Sequence, residues 1–216
     1  MMNGRFRSRA LAMAGSTRRS VVRALAGLPV VAMFGGRAFG QRTPASTEGP
    51  YYPSAGARLG DVDNDLVRVA GAVKEAGGEV IVLKGRVLDA DRNPVAGARV
   101  EIWQCDVNGR YLHPADRGSR PRDPAFQGFG HFVTGADGTY AFRTIKPVPY
   151  PGRTPHIHVK VRHNGRELTT QFYIAGHAQN ANDFLFSRLS AAEQRVVSMV
   201  FSANAEVPEA AVDIVL

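Results

Sequence analysis

From Glu79 onward the chain runs in short β-branched or alternating segments separated by turn residues, with no helix between them, and that grammar admits few folds. Residues 80–88 are apolar and β-branched, residues 89–94 (DADRNP) carry turn chemistry, and residues 98–104 alternate again. This predicts a hairpin-like pair. Residues 130–134 and 139–145 flank Gly135-Ala136-Asp137-Gly138 and predict a second pair. Residues 156–162 and 168–174 flank Asn164-Gly165, which suits a tight turn, and predict a third. The expected fold is mainly β, an antiparallel sandwich or barrel. A chain of 216 residues can bury one good core. Its single cysteine, Cys105, excludes an intramolecular disulfide, so packing must hold that core together.

Other segments hang on this framework. Residues 108–129 form a long irregular loop, and loops of that length inside a compact domain are usually functional. Ser190 and Glu193 form a capping box before an amphipathic run over residues 194–201, with Val196, Val197 and Val200 on one face. Residues 211–216 suit a last strand. Residues 41–60 hold Pro50 and Pro53, which oppose a helix, yet Tyr51 and Tyr52 are too aromatic for a solvated linker, so this arm is expected to lie on the body. No helix is expected over residues 61–76.

The formal charge of +8 does not imply nucleic acid. Seven of the 27 basic residues and none of the 19 acidic ones fall in residues 1–40, leaving 20 basic against 19 acidic beyond them. That basic N-terminus precedes a short apolar run and small residues ending at Gly40, the layout of an export signal. Ser16-Thr17-Arg18-Arg19 within it resembles a twin-arginine signal. The expectation is a periplasmic or secreted protein with no stable membrane span once the signal is removed, because the apolar run is too short to cross a bilayer well.

Chemistry concentrates in Tyr150-Pro151-Gly152-Arg153-Thr154-Pro155-His156-Ile157-His158. On a strand, the period of two turns both imidazoles to one face, which makes half a metal site. Tyr150 beside them and Tyr111 in the long loop are further candidate ligands. A hard phenolate pair with two imidazoles favours Fe(III) over Zn(II). No HExxH motif or neighbouring carboxylate supports a zinc hydrolase.

The segments TEGPYYP (47–53), LKGRVLDADRNPVAGARVEIWQCDVNGRY (83–111), DGTYAFRTIKPVPYPGRTPHIHVKV (137–161) and TQFYIAG (170–176) resemble the intradiol ring-cleavage dioxygenases. The resemblance implies a transthyretin-like sandwich holding one non-haem Fe(III), with Tyr150 and His158 as axial ligands and Tyr111 and His156 as equatorial ones. It gives catalytic roles to Arg153, Tyr150 and Gln171, and places Thr47, Gly49, Pro50 and Tyr51 against a catechol-type substrate that reacts with O2. Gly152 departs from relatives that carry an aromatic residue there, which leaves that wall of the pocket either open or filled otherwise. There is no room for the long N-terminal helical dimerisation region of the catechol 1,2-dioxygenases, so family oligomer states do not transfer, although an oligomer stays open.

The domain expectation is an export signal at 1–40, an extended arm at 41–79 and a catalytic β-sandwich with a short C-terminal helix at 80–216. Two alternatives remain at this point: a non-catalytic transthyretin-like carrier or binding module, and a zinc hydrolase built on the HxH.

Overall fold

The structure is a computed structural model in which residues 41–202 and 206–216 are described. The expected export signal lies outside the described residues. The strands run in order β1 (Val80–Leu88), β2 (Arg99–Trp103), β3 (Phe129–Val133), β4 (Thr139–Ile145), β5 (His156–His163) and β6 (Arg166–Ile174). A six-residue helix, α1 (Ala191–Val196), then precedes β7 (Ser198–Met199), β8 (Glu209–Ala211) and β9 (Ile214–Val215). The described residues are mainly β, with little helix.

Two sheets enclose one core. In the first, β1 lies between β4 and the β8–β9 segment; in the second the order is β3-β2-β5-β6-β7. Ile81 and Leu83 of β1 and Phe142 of β4 meet Val100 and Ile102 of β2, Ile157, Val159 and Val161 of β5 and Phe172 of β6 in a single buried cluster. Burying each such side chain contributes about 1.5–3 kcal/mol. The long pairings are antiparallel, but β8 and β9 join β1 in parallel and β7 joins β6 in parallel, so both sheets are mixed.

The β5–β6 hairpin forms as expected, with His163 opposite Arg166 across the turn and Asn164 at φ 47°. The other two expected hairpins do not. β1 pairs with β4, and β2 pairs with β3 and β5, so the 89–98 and 134–138 turns carry the chain from one sheet to the other. Alternation establishes that each strand has a core face. It is silent on which neighbour the strand pairs with, and crossing lets consecutive strands press their apolar faces together from opposite sides.

Two local features differ from the sequence reading. The Ser190–Glu193 capping box is present, but α1 ends at Val196 and Val200 is exposed. The β6 edge captures the following residues: Tyr173 N–H donates to the Val197 carbonyl and Ala175 N–H to that of Met199, each at 2.9 Å. Between β8 and β9 the backbone of Val212 passes over Gly85, where a Cβ would meet the Val212 carbonyl oxygen at 1.8 Å. Only glycine admits that approach. Tyr140 fastens it by donating to the same oxygen at 2.6 Å.

The arm follows the body, with Ser46 N–H donating to the Thr169 carbonyl at 2.8 Å and Thr43 exchanging hydrogen bonds with Val215. Residues 61–79 form no helix, and there Leu66 and Val67 join the core. No helix among the described residues is long and apolar enough to cross a membrane.

Candidate metal centre

Strand β5 divides its chemistry by face. Ile157, Val159 and Val161 enter the core, while His156, His158 and Lys160 line the opposite face and are nonetheless buried. Register sets their neighbours: Trp103 and Gln171 lie opposite His158 on either side, and Tyr173 opposite His156. Tyr150 arrives from the β4–β5 connection, where the Arg153 N–H closes a turn onto the Tyr150 carbonyl at 2.9 Å with Gly152 at φ +81°. Tyr111 arrives from the loop after β2. Asp106 Oδ1 accepts from the Asn108 and Arg110 amides, and Asp116 Oδ2 accepts from the Tyr111 amide at 2.6 Å, which fixes this stretch of loop.

The four rings converge. Tyr111 and Tyr150 stand 5.6 Å apart by centroid, Tyr150 and His156 5.4 Å, His156 and His158 4.8 Å, and Tyr111 and His158 6.0 Å. The Nε2 atoms of the two histidines face each other at 3.2 Å. His156 Nδ1 lies 2.7 Å from the Thr154 carbonyl, which can only accept, so the ring proton belongs on Nδ1 and the Nε2 lone pair faces inward. Burial, reinforced by the Arg153 charge, lowers the His156 pKa to about 4. Burial and then His156 and Arg153 push His158 well below its ordinary value. Both imidazoles are therefore neutral donors at neutral pH. Burial above all raises the Tyr111 phenol well above its usual range, and it raises Tyr150 although Arg153 opposes it.

This donor set fits a cation. The buried Tyr111 hydroxyl has no hydrogen-bond partner, and a buried polar atom left unsatisfied is costly. A metal beside the paired Nε2 atoms would satisfy it as a phenolate. Two imidazoles with two phenols suit a hard, highly charged ion such as Fe(III). No group of three His, Cys, Asp or Glu side chains among the described residues is placed to hold a metal, so a metal here would depend on the two tyrosines.

Arg153 closes one side. Its Nε donates to Asp183 Oδ2 at 2.8 Å, one terminal nitrogen to Gln171 Oε1 at 2.6 Å, and the other reaches the Tyr150 hydroxyl at 3.4 Å. Asp183 is buried and also accepts from the backbone amides of Thr154, Leu185 and Phe186. Burial works against its charge, but those amides and Arg153 outweigh it and hold the carboxyl below its ordinary range. A cleft of about 710 Å³ opens from Tyr150 and Arg153 past Gly152 toward Arg110 and Arg120. Nothing lies within 4 Å of the Cβ position at Gly152, so of the two alternatives for that wall the space beside Gly152 is open.

The arm closes the other side. Tyr51 stacks on Tyr111 at 4.8 Å, a Cβ on Gly49 would sit 3.4 Å from the His158 ring, and the Thr47 carbonyl accepts from Gln171 Nε2 at 3.1 Å. Pro50 links these contacts along the chain. All ten residues singled out in the sequence thus lie in or beside this site. Three participants were not anticipated. Trp103 stacks on His158 at 4.8 Å and 13°. Tyr173 donates its hydroxyl to Gln171 Oε1 at 2.9 Å. Asp183 carries no motif; its signal would have been the need of a buried Arg153 for a carboxylate.

Fold and cluster together define a mainly β protein whose two-His, two-Tyr cluster lies beside a cleft and could hold a metal ion. A family model described as Dioxygenase matches residues 47–216. The chain is 42% identical over 159 residues to the protocatechuate 3,4-dioxygenase beta chain of Burkholderia cepacia, covering 68% of each. It is 32% identical over 168 residues to hydroxyquinol 1,2-dioxygenase of Nocardioides simplex, covering 69% of this chain and 53% of that one, about half its length. Among solved structures, the dioxygenase domain of a dioxygenase–carbohydrate-binding protein fusion from Streptomyces sp. SirexAA-E superposes with a TM-score of 0.60 at 32% identity, covering 82% of this chain and 98% of that one. The chain belongs to the intradiol ring-cleavage dioxygenases, a family of oxidoreductases.

Proposed function

We propose that this chain uses a non-haem Fe(III), held by Tyr111, Tyr150, His156 and His158, to cleave a catechol-type ring with O2 between its two hydroxylated carbons. The product is a cis,cis-muconate-type dicarboxylate that takes up both oxygen atoms. The observation that carries this reading is the convergence of two neutral, inward-facing Nε2 atoms 3.2 Å apart with the unpartnered Tyr111 hydroxyl and with Tyr150.

When bound, the ferric ion supplies the Lewis acidity that favours a catechol dianion over the neutral diol. The side chains supply the rest. Tyr150 lies between the imidazoles and the cleft, so its oxygen, as a phenolate, would be placed to accept a substrate proton. Arg153, held charged by Asp183, presents its guanidinium where negative charge develops on the substrate. Gln171 fixes the guanidinium from the sheet side. Thr47, Gly49, Pro50 and Tyr51 wall the metal side against water. The transthyretin-like form of the sandwich and export to the periplasm or exterior belong to the same proposal; a reporter fused after residue 40 and recovered from the cytoplasm alone would remove the export part.

The test is oxygen uptake across substituted catechols with mass identification of the product, alongside the visible spectrum. The expected preparation is red-brown from phenolate-to-Fe(III) charge transfer, and Tyr111→Phe or Tyr150→Phe loses or shifts that colour. Cleavage beside the hydroxylated carbons, or a colourless iron-replete protein, would overturn the proposal.

A further inference from the structure

Lys160 continues the row begun by His156 and His158 on β5, yet it touches neither the cleft nor the metal donors. Its Nζ is buried, with the side chain 4% exposed, and bonds two carboxylates, Glu48 of the arm and Glu167 of β6, the latter at 2.7 Å. It also lies 4.8 Å from the centre of the Tyr52 ring. The Tyr52 hydroxyl donates to Glu101 at 2.7 Å and accepts from Arg58 at 3.0 Å, and Glu101 is held by Arg99 and Arg162, each at 2.8 Å. This charged cluster fastens the arm at two adjoining points, Glu48 and Tyr52.

What the fastened arm touches matters more than the fastening. Between those points sit Gly49, against the His158 ring, and Tyr51, stacked on Tyr111. Tyr52 packs edge-on against Trp103 at 4.9 Å, and Trp103 stacks on His158. His158 has no hydrogen-bond partner at Nδ1, the nitrogen left to orient it once Nε2 faces His156, and the Tyr111 hydroxyl has only Tyr150 beside it. Ligands are ordinarily oriented by such bonds. Here ring contacts from the arm take their place.

We propose that Lys160, through Glu48, is a positioning residue for the Tyr111 and His158 ligands, acting by seating residues 49–52 of the arm. The inference rests on the metal-site reading for its functional consequence, but the seating itself can be read in metal-free protein. Trp103 is the single tryptophan of the chain, so its emission reports the Tyr52–Trp103–His158 stack without iron.

Glu48 and Glu167 are alike in exposure, with side chains 44% and 46% exposed, and both bond the same ammonium, while Glu167 also accepts from Arg162 Nε at 2.8 Å. Only Glu48 belongs to the arm. In Glu48→Gln the Trp103 emission of metal-free protein shifts, protease cleavage within residues 45–60 accelerates, and chelator competition finds iron held about tenfold more weakly. In Glu167→Gln all three stay within about twofold of wild type, the scale of a half-exposed ion pair. Equal effects of the two variants would make the cluster a general staple and overturn the proposal, as would unchanged Trp103 emission in Glu48→Gln. Absence of ring cleavage by wild type would instead overturn the metal-site reading and leave the emission and protease results to decide the seating.

Discussion

Two cations, the half-buried Arg153 and the buried Lys160, lie on the same side of one sheet and do different things. Arg153 has one carboxylate, Asp183, at its Nε, and it spends its terminal nitrogens on Gln171 and Tyr150 at the cleft. Lys160 has two carboxylates and no contact with the cleft. A buried charge that is fully neutralised acts as a fastener. One that keeps a donor aimed at an open space can respond to charge that appears there. The difference lies in the count and placement of partners, since both have pKa values raised by carboxylates that outweigh burial.

The largest effect expected from breaking this contrast is on Arg153. Arg153→Met removes the donor facing Tyr150 and should lower kcat/KM for catechol oxidation by on the order of 10³, the scale of losing one preorganised donor at developing charge. Thermal unfolding run alongside separates this from the destabilisation left by an unpaired Asp183, about 3 kcal/mol. Activity within tenfold of wild type in a folded Arg153→Met protein would reduce Arg153 to the same fastening role as Lys160.

Next in size is a pH effect on metal-free protein. The His156 pKa falls from 6.5 unfolded to about 4 folded, because burial and Arg153 disfavour its charged form. Its contribution is fully present above pH 6.5 and is lost as pH falls toward about 4, a change of about 3 kcal/mol across that window. Urea titrations of metal-free protein at intervals between pH 7 and 4 measure it. In Arg153→Met the window narrows from its lower end, since the cation that helps depress His156 is gone. A stability curve flat through this window would mean that His156 is not buried neutral.

How much of this was legible beforehand depends on how local each feature is. The ten site residues sit in motifs a few residues long, and strand period alone put His156 and His158 on one face. The pairing of β1 with β4, and of β2 with β3 and β5, was not legible, because Ile81 or Val100 reads as core-facing whichever strand lies beside it. The place of Trp103 beside His158 was not legible either, since size and apolarity look the same on either face of a sheet. Asp183 and Glu48 were invisible for a different reason: each matters only through a cation far away in sequence, Arg153 thirty residues before one and Lys160 112 residues after the other.

The smallest effect separates the ring of Tyr52 from its hydroxyl. Tyr52→Phe removes the bonds to Glu101, Arg58 and Arg162 but keeps the ring against Trp103 and under Lys160. Glu101 retains Arg99 and Arg162, so its carboxylate is not stranded, and the loss should be about 2 kcal/mol, the scale of hydrogen bonding to charged groups. Trp103 emission and catalytic constants should then hold near wild type, because Glu48 still seats the arm and the ring still braces the stack. Tyr52→Leu keeps apolar bulk but loses the aromatic edge, and it should move the emission even where stability matches that of Tyr52→Phe. If Tyr52→Phe alone disturbs Trp103 as strongly as Glu48→Gln does, the hydroxyl network rather than Lys160 seats the arm. The contrast between the two cations would then have to be redrawn around Glu101.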